Sequence, residues 1–363
     1  PSTHSNRPRE ADLSTSHTPQ TSGLTRPPPC GTTLQPAPRT GATLPCGQLA
    51  RGIPAGTDTT ADPPIVFGKK LSRRLVRLGR ARTPADKLKA FKGFTPAELT
   101  PVPPANAEPR TLMSMGQHCE RMAREWKIRR EDQDQLAMES HLKAAAAYDE
   151  GFFDPLVTPW SGAARDNNVR GDSSLEKLSS LRTVFSKRDD ATLTAGNSTP
   201  LTDGAASVLL ASEDWAKANK LPIQGYLVAG RTASVDFVHD EGLLMAPTVA
   251  VAEMLTREGL ALQDFDFYEL HEAFAAQVLC TLKAWESEDY CKNRLGLEEP
   301  LGSIDREKMN VKGSSLAVGH PFAATGARIL GTLSQLLEEK GSGRGLISVC
   351  TAGGMGVAAI VER

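Results

Sequence analysis

Residues 310–326 read NVKGSSLAVGHPFAATG, and this stretch decides the fold. Small residues crowd both sides of one histidine, His320. Pro321 opens the following helix at a position where no amide donor is missed. A histidine carried on glycine-permitted backbone near a helix start can aim a ring nitrogen at a neighbouring thiol or oxyanion. A lone histidine in a Gly-rich turn is more often structural, so the reading depends on its company.

Two further pieces supply that company. Thirty residues on, Val349-Cys350-Thr351-Ala352-Gly353-Gly354-Met355-Gly356 sets a cysteine at a strand end before a glycine turn. Free cysteines are usually small buried hydrophobes, yet the glycines leave room for a substrate to approach. Upstream, His271-Glu272-Ala273-Phe274 stands where an apolar strand gives way to a helix.

Hydrophobic spacing around these pieces predicts strands over 205–211, 265–270, 346–350 and 356–361. It predicts helices over 247–258, 272–284 and 323–338, the last stopping at Gly341. Earlier in the chain, Met115, Cys119, Met122 and Trp126 repeat at three to four, which predicts a helix. A second helix runs from about residue 130 to Gly151, and a polar segment of loops and short helices continues to about 190. Strands alternating with helices indicate an α/β layered domain.

The 363 residues carry 39% hydrophobic side chains and a net charge of −1. That suffices for a sizeable core and lacks the basic excess a nucleic-acid binder needs. No apolar run is long enough to span a bilayer, and the N-terminus has no apolar signal core, so a soluble protein is expected. Six scattered cysteines without a CxxC pair or zinc spacing predict reduced thiols and no metal. Residues 1–64 hold 12 of the 25 prolines and no aromatic residue, and 1–29 are expected to be disordered. Residues 69–92 carry ten Lys/Arg against one acid, with Leu71, Leu75 and Leu78 at helical spacing. The plain reading is a solvated basic helix; the sharper one is contact with an anionic membrane surface or CoA phosphates.

At HEAF (271–274), GHPFAATG (319–326) and CTAGGMG (350–356), in this order and spacing, the chain resembles the thiolase family. The segment Asn197-Ser198-Thr199-Pro200-Leu201-Thr202-Asp203-Gly204-Ala205 adds a fourth match. Many thiolases have asparagine where His271 stands. That difference, with Met115-Gly116 and Asp166–Arg170, resembles the degradative 3-ketoacyl-CoA thiolases of the trifunctional-protein β-subunit type. The resemblance implies a layered αβαβα thiolase fold with its C-terminal half complete in 191–363. A mainly helical loop domain is expected over 69–190 and a remnant of the N-terminal half over 30–68.

The resemblance also implies the chemistry: thiolysis of a 3-oxoacyl-CoA by CoA in fatty-acid β-oxidation. Cys30, in Cys30-Gly31-Thr32, is the implied nucleophile, with Cys46 a rival lacking the flanking pattern. His320 would activate it, and Cys350 would serve as general acid and then base. His271 and His320 would surround the substrate's thioester oxygen, with the Ala352 amide as an oxyanion donor. Asn197, Ser198 and Thr199 would border the CoA channel. CoA is a substrate, and neither a metal nor another cofactor is implied. A homodimer is expected, with a hydratase/dehydrogenase α-subunit as a further partner. The expected location is a bacterial cytoplasm, or the mitochondrial matrix in a eukaryote. Two other readings stay open: a biosynthetic acetoacetyl-CoA-forming thiolase, and an impaired acyl-CoA-binding scaffold.

Two departures concern the N-terminal half. Twenty-nine disorder-like residues precede Cys30 where the family has an α/β unit. The helix expected after Cys30 carries Pro36, Pro38 and Pro45, each costing about 3 kcal/mol in a helix interior. An incomplete N-terminal half is therefore expected.

Overall fold

The computed structural model describes residues 67–101, 107–239 and 241–363. The expectations placed on residues 1–66, including the Cys30 nucleophile, Cys46, the disorder before Cys30 and most of the 30–68 remnant, lie outside the described residues.

The basic stretch forms two helices, α1 (Lys69–Arg80) and α2 (Pro84–Ala90). The break is chemical: Thr83 caps α2 by accepting from the Asp86 amide, and Pro84 sits in its first turn. Arg74 turns inward, bonding Glu98 and the carbonyls of Ala90, Lys92 and Gly93. Of the three leucines that suggested an amphipathic face, Leu71 alone is buried. Helix α3 (Met115–Glu125) opens with a capping box between Ser114 and Gln117. Helices α4 (Arg130–Asp149), α5 (Leu175–Ser179) and α6 (Glu213–Ala218) come next along the chain.

Residues 205–211 do not form the expected strand. Leu209 and Leu210 are exposed, and among the described residues no strand lies beside them to complete a ladder. A strand the sequence did not announce, β1 (Tyr226–Ser234), comes after them instead. Its burial does not alternate, because it is an edge strand with Tyr226, Leu227 and Val228 exposed.

The remaining elements are α7 (Ala246–Glu258), β2 (Phe267–Leu270), α8 (Ala275–Glu286), α9 (Glu288–Asn293), α10 (Ser315–Val318), α11 (Ala323–Lys340), β3 (Arg344–Thr351) and β4 (Met355–Glu362). The sheet order is β1-β4-β3-β2, with β2 parallel to β3 and the other pairs antiparallel. Strand periodicity divides the core between two faces. Leu346, Ala358 and Ile360 pack with Val251 and Leu255 of α7 and Trp285 of α8. Ile347 and Val361 pack with Ile329, Leu333 and Leu337 of α11. Helices on both faces of a mixed sheet make the α/β layering that the alternation predicted. Among the described residues, no helix is long and apolar enough to cross a membrane.

The strand register sets where His271 lies relative to Cys350. Leu270 pairs with Ser348, and the His271 amide donates to the Ser348 carbonyl (2.8 Å). His271 therefore leaves β2 beside the stretch of β3 that reaches Cys350. In open α/β sheets the carboxyl ends of parallel strands are where ligands bind.

Candidate active site

The loop after β2 remains non-helical over Glu272–Phe274, with Phe274 in extended backbone, and α8 starts at Ala275, three residues later than periodicity suggested. Glu272 explains the delay, because its carboxylate pins this loop to two other segments. Its Oε2 accepts from Ser140 Oγ (2.7 Å) and the Leu316 amide (3.1 Å), and its Oε1 accepts from Asn310 Nδ2 (2.7 Å). Burial pushes this carboxyl up, while those three donors pull it back. Asn310 also bonds both the amide and the carbonyl of Leu270 (2.9 Å each), so the 310–326 motif is stitched to the end of β2.

The segment 197–199 braces the other side of the same loop. The Asn197 carbonyl accepts from Ala275, and the Thr199 amide donates to Ala273. Asn197 Nδ2 donates to Asp134 Oδ1 (2.9 Å) and the Thr192 carbonyl, and its Oδ1 accepts from the Thr194 amide. Ser198 Oγ donates to the Thr194 carbonyl (2.6 Å) and Thr199 Oγ1 to the Ser315 carbonyl (2.6 Å). All three side chains, expected at a CoA channel, are thus engaged within the protein, and Asn197 has no exposed surface.

His271 and His320 come together. Their rings lie 4.3 Å apart between centroids, tilted by 41°. His271 is buried, shares a 2.7 Å hydrogen bond between Nδ1 and Ser315 Oγ, and has no partner on Nε2 among the described residues. Burial, with His320 and Arg328 adding to it, holds this imidazole well below its ordinary range. His320 follows Gly319, whose φ of 91° suits glycine. A Cβ there would lie 2.4 Å from Thr202 Cγ2. The His320 amide donates to the Pro200 carbonyl (3.0 Å), and its Nδ1 shares a 2.7 Å bond with Thr325 Oγ1. Burial and then Arg328 push its pKa down to about 4. Phe322, at the unusual φ of 36°, sets its ring edge-on to His320 at 5.1 Å.

Cys350 sits on β3 opposite Gly356 of β4, 4% exposed, packed with Ala273, Phe274 and Phe237. Burial pushes its thiol up to about 12, so it is protonated at neutral pH. The turn after it exposes Ala352 and carries Gly353 and Gly354 at positive φ.

Four neighbours escaped the sequence reading. Ser315 and Thr325 are hydroxyls in a Gly/Ala-rich run, where small residues pass for spacers. Arg328 lies on α11, donating to Ser315 Oγ (2.7 Å) and Ser314 Oγ (3.3 Å). Glu269 on β2 is fully buried, neither of its oxygens has a partner among the described residues, and burial pushes it up to about 8. The signal for Glu269 was available: an acid inside the apolar strand FDFYEL. A surface hollow of about 540 Å³, lined by Lys127, Asp132, Lys283 and Arg306 among others, includes none of these residues.

Two stacked neutral imidazoles, each with a hydroxyl on Nδ1, and a protonated thiol at a strand end form an acid/base and oxyanion set suited to acyl chemistry. Residues 222–363 match the family described as "Thiolase, C-terminal domain", and residues 102–214 match "Thiolase, N-terminal domain". Over 339 residues the chain is 42% identical to the 3-ketoacyl-CoA thiolases of Pectobacterium atrosepticum and Alteromonas mediterranea, covering 92% of this chain and 77% of each relative. Among solved structures, it is similar to the acetyl-CoA acetyltransferase of Bacillus anthracis, with a TM-score of 0.59 and 34% identity over 70% of this chain and 61% of that one. The human mitochondrial 3-ketoacyl-CoA thiolase in complex with CoA gives a TM-score of 0.59 and 30% identity over 70% of this chain and 60% of that one. The chain therefore spans about three-fifths of the solved chains it matches.

Proposed function

The chain belongs to the thiolase family, and on that premise we propose that it cleaves 3-oxoacyl-CoA with CoA, giving acetyl-CoA and a shortened acyl-CoA. The observation that carries this reading is the stack of His271 on His320 beside the strand end that bears Cys350.

In the proposed reaction Cys30 gives its proton to neutral His320 and attacks the 3-keto carbon. The carbon–carbon bond then breaks, its electron pair forming the enolate of acetyl-CoA while the acyl group stays on Cys30. Cys350, protonated at neutral pH, gives its proton to the enolate carbon. His271 and His320 donate to the enolate's thioester oxygen, and the Ala352 amide serves a second oxyanion. The Cys350 thiolate then takes the proton of incoming CoA, whose sulfur attacks the acyl-enzyme and frees Cys30, which takes its own proton back from His320. Residues 197–199 act by holding the loop of His271 beside the CoA path.

Condensation would use the same residues in reverse; the relatives named 3-ketoacyl-CoA thiolases favour the degradative direction. A homodimer, an α-subunit partner in β-oxidation, a cytoplasmic setting and membrane-surface contact through 69–92 complete the proposal. The test is thiolysis of acetoacetyl-CoA and of a longer 3-oxoacyl-CoA by the full chain. Turnover of both is expected; retained CoA binding with no turnover would leave a scaffold instead.

A further inference from the structure

His271 and His320 both carry a hydroxyl on Nδ1, but the two hydroxyls are not equivalent. Ser315 Oγ, bonded to His271, also receives the Arg328 guanidinium at 2.7 Å. A guanidinium can only donate and remains cationic. Ser315 Oγ has one proton and two lone pairs, and its side-chain bonds among the described residues are these two. With Arg328 occupying a lone pair, the hydroxyl proton has one acceptor within reach, His271 Nδ1. The opposite arrangement, Nδ1–H donating to Ser315, would strand the hydroxyl proton at a residue with no exposed surface.

We propose that Ser315 and Arg328 are positioning residues that fix the ring proton of His271 on Nε2, making this histidine a neutral hydrogen-bond donor. Three observations agree with the assignment. Nε2 is buried without a partner among the described residues, as a donor held for a substrate oxygen should be. Arg328 is close enough to oppose a second proton on the ring, as is His320. Glu272, one residue on, is bonded to Ser140, Asn310 and the Leu316 amide, so the nearest carboxylate on the loop is not available to pull a proton onto Nδ1. Among the described residues, Thr325, the counterpart on His320, has no guanidinium bond. It can accept from Nδ1–H and leave the His320 Nε2 lone pair as a base. The two stacked rings would then divide the labour, His320 taking protons and His271 donating a fixed hydrogen bond. The catalytic meaning rests on the thiolase reading; the proton assignment does not.

The test is nitrogen NMR on the full chain labelled with 15N-histidine, with the His271 signals identified by their loss in His271→Asn. At neutral pH the expected pattern for His271 is a neutral ring protonated on Nε2. Ser315→Ala should redistribute that proton towards Nδ1 and lower kcat roughly tenfold at similar KM, less than the ~10²–10³ lost with an oxyanion donor itself. Ser315→Thr should restore both readouts, and Arg328→Met should shift the tautomer as Ser315→Ala does. A wild-type ring protonated on Nδ1, or a tautomer unmoved by Ser315→Ala, overturns the inference. Because the NMR signal needs no turnover, an inactive chain with the Nε2–H ring would contradict the thiolysis proposal and leave this one standing.

Discussion

Gly356 stands opposite Cys350 in the β3–β4 ladder, and a Cβ on it would lie 2.5 Å from Pro247 N and 2.7 Å from the Ala246 carbonyl carbon. The start of α7 thus presses on the strand that backs Cys350. Neither contact is the far end of a flexible side chain, so backbone must shift if a methyl is added. Gly356→Ala should destabilise the protein by about 1–3 kcal/mol and lower kcat through displacement of Cys350. Denaturant unfolding beside a thiolysis assay checks it; wild-type values of both would contradict the contact.

Cys350 and His320 carry the acid/base part of the proposal. Cys350→Ala and His320→Ala should each reduce thiolysis by roughly 10²–10⁴-fold. Cys350→Ala should alter stability by less than about 1.5 kcal/mol, since a small buried side chain is exchanged for another of similar size. With His320 near 4 and Cys350 near 12, neither group should add a limb to the kcat/KM profile between about pH 5 and 11. A wild-type limb near pH 6.5 that disappears in His320→Gln would contradict the burial of that ring.

Glu269 predicts a pH dependence of stability with a definite sign. Its folded pKa, about 8, lies above the ordinary carboxyl value because burial penalises the anion. Between about pH 4.5 and 8 the folded state therefore binds more protons than the unfolded state, and stability falls as pH rises. Glu269→Gln should remove that decline and gain on the order of 3 kcal/mol at pH 7 relative to wild type. Chemical denaturation of both proteins from pH 5 to 8 measures it. Parallel curves would show that Glu269 is not the proton-binding group.

Asn197 separates a brace from a channel wall. Asn197→Ala removes bonds to Asp134, Thr192 and Thr194 and should cost about 1–3 kcal/mol of stability. The KM for CoA should stay within about twofold, because every polar atom of the side chain is engaged internally. A raised KM at unchanged melting temperature would instead favour the channel role.

The features legible in the sequence were those written in period and punctuation. Helices α3, α4, α7 and α11, and strands β2, β3 and β4, obey apolar spacing and glycine stops. Gly341, in the left-handed cap of α11, is one such stop. The run at 205–211 misled because apolar residues imply a strand only when a neighbour completes the ladder. Edge strand β1 was missed for the converse reason: its pairing to β4 is a long-range fact absent from its own alternation. His271, His320 and Cys350 stood out by their settings, but Ser315, Thr325 and Arg328 act through contacts that no local pattern announces. The delayed start of α8 has the same origin, in a carboxylate bonded across 132 residues to Ser140.

The most direct measurement mixes the full chain with a 3-oxoacyl-CoA in the absence of CoA and maps acylated cysteines by mass spectrometry. Acetyl-CoA should be released with the shortened acyl group left on Cys30, and that group should be discharged when CoA is added. Acetyl-CoA release without an acyl-cysteine, or an acyl group on Cys46 in place of Cys30, would contradict it.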